Sequence, residues 1–189
     1  QTKIITLTVT EKAYRRAPRT GRLDIDAPDV ARDLATPDQA ATVPGLLAQA
    51  LKRRRDEAAG GVTVLSCDNL PNNGAATRAV VMDFVDHAHR DLRSWIDDHV
   101  RFPSCMVDRI TPRIGDEEQA DAERAIGLTD AAPVRCEPFR QWVLEDDFAA
   151  GRPFWEAGGA LFVADAALYE RLKLRMLNAA HSLLAYAGH

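Results

Sequence analysis

The sequence predicts an α/β fold built on a parallel sheet, from three patterns along the chain. Residues 3–10 (KIITLTVT) alternate apolar and polar side chains, as a strand does. Residues 62–66 (VTVLS) form a short apolar run that is typical of a strand buried on both faces. A helical pattern at 43–59 and the pair Gly60–Gly61 precede that run. Helix, glycine stop and buried strand follow one another in this order in parallel α/β sheets.

The remaining elements follow from local composition. Residues 15–38 are rich in Pro, Arg and Asp and are predicted to be a surface loop. The helix at 43–59 carries Leu46, Leu47, Ala50 and Leu51 at helical spacing, with Arg53–Arg55 near its end, where cations suit the helix dipole. Later segments are predicted as one long helix (75–99), an extended segment (102–112), a short helix (117–126), a strand and turn (133–148), a loop (151–159), a short strand (161–164) and one helix (167–187).

Composition excludes several classes of protein. The 189 residues include 24 basic and 28 acidic side chains, and a net charge of −4 argues against binding to nucleic acid through phosphates. No apolar run approaches the length of a membrane span. Three widely spaced cysteines form neither a disulfide framework nor a zinc motif, which favours a reducing, cytoplasmic setting. The ends, Gln1 and His189, look like cuts in a longer protein, so we expect an internal fragment with part of its active site elsewhere.

The loop of residues 67–74 (CDNLPNNG) is the first candidate site. It follows the predicted buried strand, and ligands of open α/β sheets lie beyond the carboxyl ends of their strands. Its short polar side chains can donate hydrogen bonds. A turn in which Asn, Pro and Gly only shape the backbone explains the same residues equally well.

The last helix is the second candidate. Glu170, Lys173, Asn178 and His181 fall within an arc of about 140° at 100° per residue. One small polar molecule could meet a base, an amide and an imidazole on such a face. From the pattern alone, an ordinary amphipathic helix with a solvated polar face is favoured. The leucines that share the arc, including Leu174 and Leu184, argue against simple exposure.

Other polar groups give weaker signals. His87 and His89 are two positions apart, which turns their side chains about 200° from one another on a helix, so they are not predicted to hold a metal. The acidic run 145–147 and the basic run 53–55 are predicted to be solvated. No GxSxG, GxxxxGK[ST] or HExxH motif occurs in the sequence.

Five segments in one order resemble the mannitol dehydrogenase family, the long-chain, metal-independent polyol dehydrogenases and hexuronate reductases. They are TLTVTEKAY (6–14), VLSCDNLPNNG (64–74), FPSCMVDRITP (102–112), EPFRQWVLEDDFAAGRPFWEAGGA (137–160) and YERLKLRMLNAAHSLLAYAG (169–188). Together they extend from residue 6 to residue 188, nearly from one end of the chain to the other. Matches in one order along a chain are far more specific than any single motif.

The resemblance implies a role for each catalytic candidate. It makes Lys173 the general base, and it makes Asn69 and Asn178 the two halves of an oxyanion hole. It assigns substrate binding and orientation to His181, and proton passage to Glu170. No residue is implied as a metal ligand.

The resemblance also implies NAD or NADP as cofactor, with Asn69 and Asp108 as candidate contacts. Residues 1–135 are then the end of a Rossmann-type dinucleotide-binding domain, and residues 136–189 begin a mostly helical substrate domain. The family's glycine-rich phosphate-binding turn does not occur in this sequence, and its chains are more than twice as long. We therefore expect the isolated 189 residues to be inactive.

The implied chemistry is physically sound. Without a metal to acidify the hydroxyl, oxidising a secondary alcohol needs a side chain that takes its proton. Burial disfavours the charged form of a lysine, so a lysine on a mostly apolar helix suits that task. Carboxamide N–H groups stabilise the negative charge that develops on oxygen. A glutamate one turn away could exchange the proton with solvent, although it also favours the charged lysine.

Three functions follow from the sequence. The first is the interconversion of a sugar alcohol of the mannitol or arabinitol type and its 2-ketose. The second is the family's uronate branch, which reduces fructuronate to mannonate and needs a cation facing the substrate carboxylate. The third is a non-catalytic fragment or pseudoenzyme, which a dinucleotide titration separates from an enzyme. A small molecule is the expected partner, without nucleic acid or membrane, and the oligomeric state stays open.

Overall fold

A computed structural model describes residues 2–187, and of residues 177, 178, 181, 182 and 185 only the backbone. The strands are β1 (Ile4–Leu7), β2 (Val62–Ser66), β3 (Val100–Arg101), β4 (Cys105–Asp108), β5 (Gln141–Glu145) and β6 (Ala160–Val163). The helices are α1 (Pro28–Ala35), α2 (Val43–Asp56), α3 (Asn73–Ala88), α4 (Arg93–His99), α5 (Asp116–Ile126), α6 (Ala167–Leu172) and α7 (Ala179–Ala187). A π-helical segment, Lys173–Asn178, joins α6 to α7. The α/β prediction is confirmed.

The first sheet is parallel, in the order β1-β2-β3. Ile4 lies opposite Thr63 and Leu7 opposite Ser66, so β1 and β2 end at the same edge. The loops that follow these two strands therefore leave the sheet side by side. This is the edge at which an open α/β sheet places its ligands.

Strand β2 is buried on both faces, as its apolar run predicts. Val62 and Val64 belong to the main core, together with residues of α2 and α3 such as Leu51 and Phe84. On the other face, Leu65 packs with β4 and β5. The Thr63 hydroxyl accepts a hydrogen bond from Ala149 N–H at 3.0 Å, beyond the end of β5. Strand β2 thus joins the two sheets of the chain.

The second sheet is mixed, in the order β4-β5-β6. Strands β4 and β5 are antiparallel, with Asp108 opposite Gln141, while β5 and β6 are parallel. Aromatic rings pack beside this sheet, and the Trp142 and Trp155 ring centroids are 4.9 Å apart. The predicted domain boundary, between residues 135 and 136, falls in the chain that joins β4 to β5 and stays a prediction.

Helix α1 corrects the prediction of a surface loop at 15–38. It begins with Pro28 in its first turn, where a missing N–H costs nothing, and Val30 is fully buried in the core. The Pro, Arg and Asp content that suggested a loop belongs to the helix start and to its exposed face. Asp33 is also fully buried, and its carboxylate accepts hydrogen bonds from the backbone N–H groups of Ala41 and Thr42, just before α2.

Asp33 is expected to make stability depend on pH. Burial alone would raise the pKa of Asp33, but hydrogen bonds from Thr42, Ala41 and Arg32 outweigh it and hold that pKa below its ordinary value. The unfolded chain therefore takes up this proton first, and stability is lost as the pH falls below about 4. In acid titrations of urea unfolding, Asp33→Asn should flatten this loss, and Asp38→Asn, at an exposed position, should not. Equal slopes for wild type and Asp33→Asn would contradict the assignment.

The long helix predicted at 75–99 is interrupted. Helix α3 ends at Ala88, and His89 leaves helical geometry at φ −146° and ψ 54°. A 3-10 turn, Arg90–Leu92, leads into α4, and Leu92 and Ile96 return fully buried to the same core. Apolar periodicity did not reveal the break, because the break keeps the apolar residues inward.

The last predicted helix is continuous in its backbone from Ala167 to Ala187, but it is not regular. The π-helical segment widens its turns after Lys173, so an arc calculated at 100° per residue does not hold beyond that point. Leu174 and Leu184 are 40% and 69% exposed, which corrects the expectation that the leucines of the arc are shielded. Among the described residues, no helix is both long and apolar enough to cross a membrane.

Candidate active site

Asp68 shapes the loop that follows β2. Its buried carboxylate accepts hydrogen bonds from Val9 N–H at 2.9 Å, Thr10 N–H at 2.8 Å and the Tyr14 hydroxyl at 2.6 Å. Burial and the hydrogen bond to Asp68 raise the pKa of Tyr14, so its hydroxyl stays protonated and donates. The loops after β1 and β2 are therefore tied together at the sheet edge.

Asn73 fastens the other end of the loop to β4. Its side-chain amide donates to Cys105 O at 2.8 Å and accepts from Cys105 N–H at 2.9 Å. Asn72 takes a left-handed conformation, φ 48°, which asparagine tolerates better than most residues. Gly74 then lies against Phe102 and Pro103, where an added Cβ would lie 2.3 Å from Phe102 O. Residues 67–74 therefore form a defined loop. Asn72, Asn73 and Gly74 shape its backbone, as the alternative interpretation of this loop predicted.

Lys173 meets Asn69 across 104 positions of sequence. The Lys173 ammonium donates to Val107 O at 2.6 Å and to Asn69 Oδ1 at 3.2 Å. The structure thus brings together the two candidate residues that the sequence places on separate elements. The side chains of Asn178 and His181 lie outside the described residues, and their roles stay predictions.

Two of the three donor positions of Lys173 are engaged by protein oxygens. An ammonium has three N–H groups, so one position on Nζ remains for a ligand. Because Asn69 accepts through Oδ1, its Nδ2 amino group is left to donate elsewhere. Both side chains line one pocket, which can present a base and a hydrogen-bond donor to the same molecule.

The pocket measures about 560 Å³ and lies where β4 ends and β5 begins. Asp108, Arg109 and Arg140 supply its remaining charges beside Lys173. An aromatic wall faces them, formed by Trp142, Phe154 and Trp155. Asp108, the second predicted cofactor contact, lines this pocket, and its role stays a prediction.

Glu170 lies beside the lysine, one turn earlier in the chain. Its carboxylate accepts a hydrogen bond from Asn72 N–H at 3.1 Å, which holds α6 against the loop after β2. A chamber of about 30 Å³ touches Glu170, Lys173 and Asn69. That volume accommodates a water molecule.

A further cavity of about 460 Å³ opens at the carboxyl ends of β1 and β2. Its walls are Thr10, Glu11, Lys12, Asp68 and Asn69. Asn69 therefore lines this cavity on one side and the lysine pocket on the other.

The weaker candidates have structural roles. The His87 ring bonds to Asp83 O, and the buried His89 lies at the break after α3. Glu145 corrects the prediction of a solvated acidic run, because its half-buried carboxylate accepts from Ser104 N–H at 2.7 Å. In the part of the chain that the structure describes, no three His, Cys, Asp or Glu side chains cluster as metal ligands.

Residues 2–157 match the family model of the mannitol dehydrogenase Rossmann domain. The chain belongs to the mannitol dehydrogenase family. The resemblance drawn from five sequence segments is thereby confirmed, as is the Rossmann-type fold.

Similar proteins within the mannitol dehydrogenase family include a D-mannonate oxidoreductase and a mannitol 2-dehydrogenase. The chain is 49% identical to the uncharacterized oxidoreductase YdfI of Escherichia coli K12, and 42% identical to the D-mannonate oxidoreductase of the same strain. Both matches cover the whole chain and 39% of the relative's length. A mannitol 2-dehydrogenase of Pseudomonas fluorescens, solved as a ternary complex with NAD and D-mannitol, superposes with a TM-score of 0.89 at 43% identity. That match covers 98% of this chain and 38% of the other.

Sequence reasoning missed the hydrogen bonds that hold this candidate site together. Tyr14 and Asp68 lie within two of the five matched segments, but neither was singled out. The pattern that could have revealed them is an aspartate just after a buried strand. An unpaired carboxylate is costly to bury there, so hydrogen-bond donors must surround it.

Proposed function

We propose that the protein carrying this chain interconverts a secondary alcohol and a ketone on an open-chain sugar derivative, with a nicotinamide dinucleotide as cofactor. The observation that carries the proposal is the meeting of Lys173 and Asn69 at one pocket. Membership of a family of oxidoreductases supports it. Since the chain spans about 39% of the length of its relatives, the activity belongs to the whole protein.

Lys173 acts as the general base in this proposal. In its neutral form, two N–H groups donate to Val107 O and Asn69 Oδ1, and the lone pair takes the third position on Nζ. A substrate hydroxyl in the pocket gives its proton to that lone pair. Positioned bases of this kind contribute roughly 10²- to 10⁴-fold to a reaction rate.

Asn69 stabilises the charge that develops on the substrate oxygen. The hydrogen bond from Lys173 fixes the orientation of the amide, with its oxygen toward the lysine and its Nδ2 free to donate. We assign the second donor of this oxyanion hole to Asn178, and orientation of the substrate to His181, from the family resemblance.

We assign the dinucleotide to the cavity at the carboxyl ends of β1 and β2. This cavity of about 460 Å³ lies at the ligand edge of a parallel sheet, and Asn69 lines both it and the lysine pocket. Thr10, Lys12 and Asn69 would hold the cofactor there, and Asp108 is a candidate contact on the pocket side. When bound, the oxidised nicotinamide supplies the hydride acceptor. The Pseudomonas relative's complex supports NAD, with NADP as the alternative.

Glu170 carries the proton away from the base. The chamber of about 30 Å³ that touches both side chains leaves room for a water between them. Glu170 is only half-buried, so it can exchange a proton with solvent.

Two substrates compete for the pocket. A sugar alcohol of the mannitol or arabinitol type is supported by the relative that binds D-mannitol. A hexonate is supported by the D-mannonate oxidoreductase, whose identity to this chain is similar. We place either reaction in the cytoplasm, a setting that the three free thiols of Cys67, Cys105 and Cys136 suit.

The test is turnover by the full-length protein. Absorbance of the reduced nicotinamide should rise with at least one of D-mannitol, D-arabinitol and D-mannonate. In Asn69→Ala, kcat should fall by about 10²- to 10³-fold, as expected for a lost oxyanion donor, with the unfolding temperature unchanged. No turnover with any substrate would contradict the proposal. A dinucleotide titration would then show whether the protein is a pseudoenzyme.

A further inference from the structure

Two arginines flank the end of the antiparallel pair β4–β5. Asp108 lies opposite Gln141 at the end of that ladder, and Arg109 and Arg140 are the next residue on each chain. Two guanidinium groups that line one pocket repel each other, and a bound anion relieves that repulsion.

Both arginines line the pocket of Lys173 and are exposed to it. Arg109 uses Nε to donate to Glu137 O at 3.0 Å, which leaves its other N–H groups open. Among the described residues, Arg140 has neither a hydrogen bond nor an ion pair, unlike Arg152, which is paired with two carboxylates. With Asp108 as the only acid in its described wall, the pocket is positive in a chain whose net charge is −4.

A six-carbon acid is long enough to extend from the lysine toward an arginine of the same pocket wall. Lys173 bonds to Val107 O, two residues before Arg109 in the chain, and both arginines line the pocket. In a hexonate oxidised at the carbon that becomes the ketone of fructuronate, four bonds of about 1.5 Å separate that carbon from the carboxyl carbon, roughly 5 Å in all. A charge-assisted hydrogen bond of about 2.8 Å at the carboxylate extends this reach, and the arginine side chains are long and flexible.

We infer that Arg140, with Arg109, binds the carboxylate of an open-chain hexonate whose hydroxyl lies at Lys173. The guanidinium is planar and matches a carboxylate through two parallel hydrogen bonds. The pair thus selects a sugar acid over a neutral sugar alcohol. This inference rests on the proposed function, and it chooses the substrate that the sequence analysis placed second.

The experiment compares D-mannonate with D-mannitol in the full-length protein. In Arg140→Gln, the ratio of kcat/KM for mannonate to that for mannitol should fall by roughly 10- to 100-fold, the effect of a lost hydrogen bond to a charged group. Arg140→Lys should keep part of the wild-type ratio, because lysine retains the positive charge but cannot form two parallel hydrogen bonds to a carboxylate. Arg113→Gln, an exposed arginine outside the pocket, is the matched control and should leave the ratio unchanged.

Binding separates this inference from the proposed function. Trp142 and Trp155 line the pocket, so their fluorescence reports occupancy without turnover. In the Lys173→Ala background with NAD present, mannonate should bind more tightly than mannitol, and Arg140→Gln should abolish the difference. Equal binding, or an equal loss for both compounds in Arg140→Gln, overturns the inference even if mannitol is oxidised. If neither compound is oxidised by wild type, the proposed function fails, while the binding comparison still decides the role of Arg140.

Discussion

Alcohol oxidation by Lys173→Ala should be about 10²- to 10⁴-fold slower in kcat/KM than by the wild type, the range expected for a lost general base. The substitution removes the amine of Lys173, which is held in place by hydrogen bonds to Val107 O and Asn69 Oδ1 and has one position left to accept a proton. The loss should be measured from absorbance of the reduced nicotinamide in the full-length protein. Added primary amines should restore part of the rate, because they supply the missing base.

Arg171→Ala is the matched control for this result. Arg171 lies on the same helix, two residues earlier, and its exposed side chain is absent from the pocket wall. Its removal should change kcat/KM by less than twofold. Dinucleotide affinity should survive in both variants, since the cavity that we propose for the cofactor is lined by other residues. A Lys173→Ala enzyme that keeps most of its activity would refute the base assignment.

Gly74→Ala should destabilise the protein by about 3 kcal/mol, the upper end of the usual cost of overpacking. An added Cβ would lie 2.3 Å from Phe102 O and 2.5 Å from Pro103 C. These are backbone atoms, so no flexible side chain can move aside. The start of α3 must instead separate from the segment before β4, which also disturbs the bonds between Asn73 and Cys105.

Urea unfolding of Gly74→Ala beside Gly158→Ala measures this effect. A Cβ on Gly158 meets no atom within 4 Å, so that variant should unfold close to the wild type. Similar urea midpoints for the two variants would contradict the prediction, because they would show that residues 73–74 can move away from 102–103 at little cost in free energy. A Gly74→Ala protein that does not fold, beside a Gly158→Ala protein that does, would also support the prediction.

Periodicity predicted the parts of the fold whose burial is simple. Strand β2 is apolar throughout because both of its faces are covered, and α2 shows its leucines at helical spacing. Helix α1 escaped detection because only one of its side chains, Val30, is a large buried apolar group. The break at His89 escaped too, since tertiary packing and not local sequence sets the direction of the chain there.

The site was predictable by family resemblance and not by spacing. A separation of 104 residues between Asn69 and Lys173 leaves no local pattern, and the polar arc on the last helix assumed a regular pitch that the π-helical segment breaks. The arginine pair at 109 and 140 was likewise invisible, because it depends on the register of β4 against β5. The roles of Asn178 and His181 stay predictions.

The bonds of Asp68 also say when the site takes shape as the protein folds. They join it to Val9, Thr10 and Tyr14, partners 54 to 59 positions away in the chain. Closing so long a loop is slow compared with forming local contacts, so we expect β1 to dock on β2 after the nearby helices have formed. Until β1 arrives, Asp68 lacks these three donors. We therefore expect the position of Asn69, the residue after Asp68, to be set late in folding, once β1 has docked.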